Sequence, residues 1–216
     1  KKLFPQGDYW DKQFACPASD ISLFCKAKAE SLVRFKKRIA DLQKESIALY
    51  FEQANRAVLN KQTSSCQMKS TAVLLLCRNN QAIIAHVGDS RGYYFSNGSI
   101  LFQTIDHSVS QMAVLRGEIT AAQIRFHEDR NRLLRALGGE ENVHAEVSLI
   151  PSPLAPGDAF LLCSDGFWEY VTENEMAIDL TKSATPDEWL SYLTARIGKR
   201  ISGKNDNLSA IAIFCE

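Results

Sequence analysis

Two aspartates stand where a carboxylate meets the end of an apolar run. Asp165 follows Ala159-Phe160-Leu161-Leu162-Cys163-Ser164, and Asp206 precedes Asn207 and the run from Leu208 to Phe214. A charge at the rim of a buried strand is costly to isolate. Two such charges brought together repel each other and call for a cation between them, and hard divalent cations take oxygen ligands. The expected chemistry is that of an oxygen-ligand metal site. Asp89, in Gly88-Asp89-Ser90-Arg91, and Asp106, in Asp106-His107-Ser108, are further candidates. Taken alone, Asp89 reads equally well as a turn cap and Asp106 as a helix N-cap.

The elements that must position these groups are legible from periodicity. Ile21 to Cys25 reads as a short strand. From Lys26 to about Asn60, apolar residues recur at helical spacing, as two amphipathic helices or one long broken one. Thr71 to Cys77 and Ala82 to Val87 read as strands joined at Asn79-Asn80. Tyr93 to Phe95 and Ser99 to Thr104 read as strands joined at Asn97-Gly98, a strong hairpin signal. Consecutive hairpins predict an antiparallel meander. His107 to about Gly138 reads as helical and polar, stopped by Gly138-Gly139. Strands return at Val143 to Ile150 and Ala159 to Cys163, followed by helices from Glu173 and from Pro186, the latter capped by Thr185, and a strand at Leu208 to Phe214. This order, hairpins interrupted by helical pairs, predicts an α+β layered fold with helices outside an antiparallel two-sheet core.

Bulk composition narrows the function by exclusion. The 216 residues fit one domain, residues 1–216, with no internal repeat or linker. Lys+Arg and Asp+Glu both count 25, so no net charge favours nucleic acid or an acidic membrane surface. The basic cluster Arg34, Lys36, Lys37 and Arg38 reads as a solvated helix face. No apolar run approaches the ~20 residues that span a bilayer, and no secretory signal follows Lys1-Lys2. Cys77, Cys163 and Cys215 lie in apolar runs and read as buried reduced thiols, so the expected location is cytoplasmic.

Five ordered segments, Ala85 to Tyr93, Thr104 to Ser108, Arg130 to Gly138, Leu161 to Trp168 and Asp206 to Ser209, together resemble the metal-dependent protein phosphatase family, type 2C, in its compact bacterial form. Met68-Lys69-Ser70-Thr71 stands where that family has Met-Gly-Thr-Thr. The resemblance implies a four-layer α-β-β-α sandwich, two antiparallel sheets flanked by helical pairs. It implies hydrolysis of phosphoserine and phosphothreonine in proteins by a metal-bridged water, with two or three Mn²⁺ or Mg²⁺ ions, opposing a Ser/Thr kinase. By motif position Asp165 and Asp206 match ligands of a binuclear centre, and Asp106 matches a ligand of a third metal shared with Asp165. Asp89 matches a structural position. Residues from about 109 to 129 match a flap beside the site, with His127 at its end read as a surface residue.

Two family elements depart from the pattern. The loop that supplies a metal-bridging Asp is missing between Cys25 and Lys26, and Leu3 stands where a phosphate-binding Arg is expected, so no phosphate-binding residue is assigned. Asp8 is the remaining candidate ligand near the start. True loss of the bridging Asp would make the chain a pseudophosphatase, a partner-binding module on the same fold. A metal-dependent phosphodiesterase is a third reading, drawn from the carboxylates alone.

Overall fold

The computed structural model describes residues 44–78, 80–150, 153–201 and 206–216. Asp8, the strand expected at Ile21 to Cys25, the Cys25/Lys26 junction and the basic cluster Arg34 to Arg38 lie outside the described residues, as does Asn79.

Strand alternation builds the core. β1 (Ala72–Arg78) pairs antiparallel with β2 (Gln81–Val87), which pairs with β5 (Glu146–Leu149), giving a three-stranded sheet in the order β1-β2-β5. β3 (Arg91–Ser96), β4 (Ser99–Gln103), β6 (Ala159–Cys163) and β7 (Ala210–Phe214) form a second antiparallel sheet in the order β4-β3-β6-β7. Successive side chains face opposite ways along a strand. Leu75, Ala82, Ile84, Tyr94, Phe160 and Leu162 therefore meet between the sheets, with Val73 and Ile213 against them. The alternate residues Leu76, Ala85 and Val87 face outward onto α1 (Lys44–Leu59), which presents Ile47, Phe51 and Val58 at helical spacing. On the other side Tyr93, Phe95, Leu161 and Cys163 face α3 (Asp165–Trp168), α4 (Glu173–Leu180) and α5 (Pro186–Gly198), whose Trp168, Met176, Trp189 and Leu193 are buried. The result is the expected layering, helix on sheet on sheet on helix.

Three expectations are corrected. The hairpins do not form one meander, because β1-β2 and β3-β4 fall in different sheets. The chain changes sheet at Gly88, whose φ of +100° is open to glycine. A Cβ there would come within 2.4 Å of Thr71 Cγ2. The Asn97-Gly98 turn behaves as expected, with positive φ at both residues.

The stretch from His107 to Gly138 is helical only in part, as α2 (Val109–Leu115) and a 3-10 turn (Ala121–Phe126). From His127 onward it is irregular, because its leucines find partners across the fold rather than along a helix. Leu133 bridges to Ser108, and Leu137 exchanges backbone hydrogen bonds with Ser70. Gly138 closes no helix. Its N–H donates to buried Asn55 Oδ1 on α1 (2.7 Å), while Asn55 Nδ2 donates to the Glu140 carbonyl (2.8 Å). Finally, Ser108, not Asp106, caps α2.

α4 and α5 are tied by a cluster in which Arg196 donates to Asp179 (Nη2–Oδ1 2.8 Å) and to Glu175, and Arg200 donates to Glu175. Hydrogen bonds from Arg200 hold Glu175 down to about 2, and those from Arg196 lower Asp179. A depressed carboxylate adds stability above its unfolded value and loses it as pH falls toward the folded one. The melting temperature is therefore expected to drop as pH falls from 4.5 to about 2. In an Arg196→Met/Arg200→Met double variant, the drop over that range is expected to shrink. An equally steep drop in thermal melts would refute this assignment.

Candidate functional site

β6 delivers Asp165 and β7 delivers the segment carrying Asp206, because the two strands are antiparallel neighbours. The end of β6 turns at once into α3, whose first residue is Asp165. Its Oδ1 accepts the Gly166 N–H at 2.7 Å. Gly166 is the reason the Asp206 segment can come so close: a Cβ there would lie 2.6 Å from the Asn207 carbonyl oxygen and 3.2 Å from that of Asp206. The Ser164 N–H donates to the Ser209 carbonyl, and Ser209 N–H donates to Ser164 Oγ, which fixes the approach.

These carboxylates crowd one another. Burial raises Asp165 above the ordinary aspartate range. The Gly166 N–H pulls it back, the charge of Asp206 raises it further, and Arg130 lowers it. Glu169, one helical turn after Asp165, is likewise raised first by burial, and it feels Asp165 and Asp206 as well as Arg130. Arg130 Nε donates to Glu169 Oε1 at 3.1 Å. Asp89 is pushed up from 3.8 to about 7, first by burial and then by Asp165 and Asp106. Its backbone carbonyl accepts the Trp168 indole N–H at 2.9 Å.

Asp106, like Asp89, is enclosed. Both of its oxygens accept hydrogen bonds from Arg91, at 2.8 Å (Nε) and 2.7 Å (Nη2), and its side chain is only 1% exposed. The Arg91 guanidinium lies 3.5 Å over the Trp168 ring and reaches Glu173 at 3.3 Å. Asp165 and Asp206 thus share one neighbourhood at the strand ends. Asp106 is close enough to Asp89 to raise it, as Asp165 does. A carboxylate accepting a bidentate arginine keeps further lone pairs.

In type these carboxylates suit a hard divalent cation, but among the described residues no three of them bring ligand atoms within 4.8 Å of one another. Asp165, Asp206 and Glu169 offer carboxylate oxygens at the mouth of the site, and their mutual repulsion is what such an ion relieves. Among the described residues, the group whose ligand atoms do converge lies elsewhere: those of His86, His107 and Glu146 fall within 4.8 Å of one another. Hydrogen bonding makes it a poor ligand set. His107 Nδ1 accepts the Gly88 N–H at 3.2 Å, and Nε2 faces the Arg135 guanidinium at 3.5 Å as well as Glu146 at 3.7 Å, so a cation there would compete with Arg135. Burial, His86 and Arg135 push His107 down to about 4, which keeps that ring neutral. The stacked pair His86/His107 instead joins the Gly88 bend to the Asp106 loop.

Sequence reading missed Glu169, Arg130 and Glu173. For Glu169 a signal existed: it lies four residues after Asp165, on the same face of one helical turn. His127, at the end of the 109–129 segment, has a local role, its Nδ1 accepting the Asp129 N–H at 3.1 Å.

The protein phosphatase 2C family model matches residues 16–113. Serine/threonine phosphatase stp of Listeria monocytogenes is 33% identical over 178 residues, covering 82% of this chain and 66% of that protein. The chain spans between 45% and 66% of the length of the Listeria relatives it matches. The structure of serine/threonine phosphatase Stp1 from Staphylococcus aureus superposes with a TM-score of 0.71 at 26% identity, covering 80% of this chain and 68% of that one. The catalytic domain of the serine/threonine protein phosphatase PstP, solved in complex with 2 manganese ions, shares the fold, with a TM-score of 0.56 at 22% identity, covering 77% of this chain and 80% of that one.

The crowding at Asp89 sets an expectation for the metal-free protein. A carboxylate raised to about 7 destabilises the fold progressively as pH climbs from 3.8 through that value. Asp89→Asn should therefore raise the melting temperature in chelator strongly at pH 8 and much less at pH 4. Equal shifts at pH 4 and pH 8 would contradict this account of the charge.

Proposed function

The chain belongs to the protein phosphatase 2C family, and on that premise we propose that it hydrolyses phosphoserine and phosphothreonine in proteins at a Mn²⁺ or Mg²⁺ centre of two or three ions. The observation that carries this reading is the meeting of Asp165 and Asp206, permitted by Gly166 and reported by the upward push of Asp206 on Asp165. Asp165 and Asp206 would hold the ions, with Glu169 beside them. Asp106 would serve a further ion shared with Asp165, and Asp8 is the candidate from the first residues. When bound, such ions supply an acidified water as nucleophile and neutralise charge on the phosphoryl oxygens.

The remaining work falls to the protein's own groups. Arg91 holds the Asp106 carboxylate in one orientation through two hydrogen bonds. The Gly166 N–H orients Asp165, leaving its other oxygen for a ligand. Arg130, fixed by Glu169, keeps one positive charge at the mouth of the site, where a phosphoryl dianion would lie. The expected partners are proteins phosphorylated by an opposing Ser/Thr kinase. The expected setting is the cytoplasm, where thiols such as buried Cys163 stay reduced. No helix among the described residues is long and apolar enough to cross a membrane.

One sequence observation favours a second reading, a pseudophosphatase that binds phosphoproteins: the chain passes directly from Cys25 to Lys26 without the bridging-Asp loop. Metal titration with p-nitrophenyl phosphate and a phosphothreonine peptide separates the two. Activity that rises with Mn²⁺ and falls at least 100-fold, roughly the scale of losing a metal-activated nucleophile, in Asp165→Asn and in Asp206→Asn is the expected result. Both variants should keep their cooperative melts. Full activity in either variant sinks the assignment. Peptide binding without turnover at any metal concentration favours the pseudophosphatase.

A further inference from the structure

A cavity of about 590 Å³ lies where the last turn of α1, the segment up to Lys69 and the loop from Gly138 to Asn142 come together. That volume falls within the roughly 300–1,000 Å³ typical of small-molecule sites. None of the aspartates assigned to the metal site lines it. Its walls are pre-formed. Gln62 Nε2 donates to the Met68 carbonyl (2.6 Å) and to the Gly138 carbonyl (2.8 Å), so one carboxamide holds two walls together. Buried Asn55 ties the loop to α1, its Nδ2 donating to the carbonyls of Glu140 (2.8 Å) and Glu141 (3.1 Å). The Ser70–Leu137 bridge closes the same seam, one residue after Lys69 and one before Gly138. A Cβ at Gly138 would lie 2.4 Å from the Met68 carbonyl oxygen, so the two segments can meet only at a glycine. Walls already held in place reorganise little when a ligand enters.

The lining is polar and carries both signs of charge. Arg56 on α1 and Lys69 are positive, and Glu140 and Glu141 on the loop are negative. All four are exposed, and among the described residues none of them forms an ion pair. Lys69 stands where the family pattern has glycine, so this charge belongs to this chain. Beside Gln62, the carboxamides of Asn60, Gln67 and Asn142 complete the polar lining. A carboxamide both donates and accepts, which matches the N–H and C=O of a peptide group. Opposite charges that share a cavity without neutralising each other suit a ligand carrying one charge of each sign.

We propose that this cavity binds a short peptide with free termini, its carboxylate held by Arg56 and Lys69 and its ammonium by Glu140 and Glu141. The site is independent of the phosphatase reading, because it uses none of the metal-site carboxylates. Triglycine is the probe, compared with its N-acetylated, C-amidated and doubly capped forms. Titrations in chelator follow the backbone amide resonances of isotope-labelled protein, so neither metal nor turnover enters the readout.

Triglycine is expected to bind with a Kd of about 1 mM or tighter, the scale for so few atoms. It should shift resonances within 56–69 and 138–142, the segments that line the cavity. Capping either end should weaken binding roughly 10-fold, the loss of one charge-assisted contact. Each end should also trace to its own wall. In an Arg56→Gln/Lys69→Gln variant, amidation should make no further difference while acetylation still does. Glu140→Gln/Glu141→Gln should reverse that pattern. No shift at roughly 10-fold above that Kd overturns the site. So do shifts confined to the surroundings of Asp165 and Asp206. Equal binding of all four forms overturns it as well, since the cavity would then take an internal segment of a partner protein. None of these outcomes bears on hydrolysis, which the Mn²⁺ titration tests separately.

Discussion

The Arg91–Asp106 pair is the constraint around which the site end of the molecule is arranged. Arg91 opens β3, and its guanidinium is nearly inaccessible to solvent, so it must be matched where it stands. Asp106 matches it with two hydrogen bonds, the Trp168 ring covers its face, and Glu173 takes a third N–H. Removing one member of such a buried pair leaves an uncompensated charge, typically at a cost of about 3–5 kcal/mol. Four separate segments are thereby held to one another by one side chain. Glu173 extends the same hold to Arg125 and so to the 3-10 turn.

Set against that neutralised interior is a strand-end rim with the opposite character. Asp89 and Asp165 are raised by burial and by neighbouring carboxylates, and Arg130 answers only part of the charge. A fold that pairs its buried ions so thoroughly, yet leaves carboxylates in mutual repulsion at its strand ends, stores electrostatic free energy there. A divalent cation recovers it on binding. Gly166 is what makes the crowding possible, since any side chain at that position would collide with the backbone beside Asp206.

Much of this was legible in the chain. The short apolar runs Thr71 to Cys77 and Ala82 to Val87 identified the strands, because an apolar run bounded by turn residues is a local signal, whereas the faces they bury were decided by packing. Asn97-Gly98 announced its turn through the backbone conformations those residues tolerate, and Thr185 before Pro186 announced a helix start that the structure keeps. The leucines at 133, 134 and 137 misled for the opposite reason. Their spacing imitates a helix, but the backbone there bonds to Ser70 and Ser108, far away in the chain. The division of the hairpins between two sheets was equally hidden, since it depends on what Gly88 packs against.

By itself, the sequence marked the β-strands seen among the described residues and the helices from Glu173 and Pro186, and it marked the aspartates that end or begin apolar runs. Residue type and spacing are sufficient for that, because these are preferences of a residue and its near neighbours. Tertiary structure alone decided which charges meet. Arg91 chose Asp106, Arg125 chose Glu173 across 48 positions, and Arg130 chose Glu169 across 39. An ion pair depends on distance in space and on burial, and neither quantity exists until the sheets have stacked.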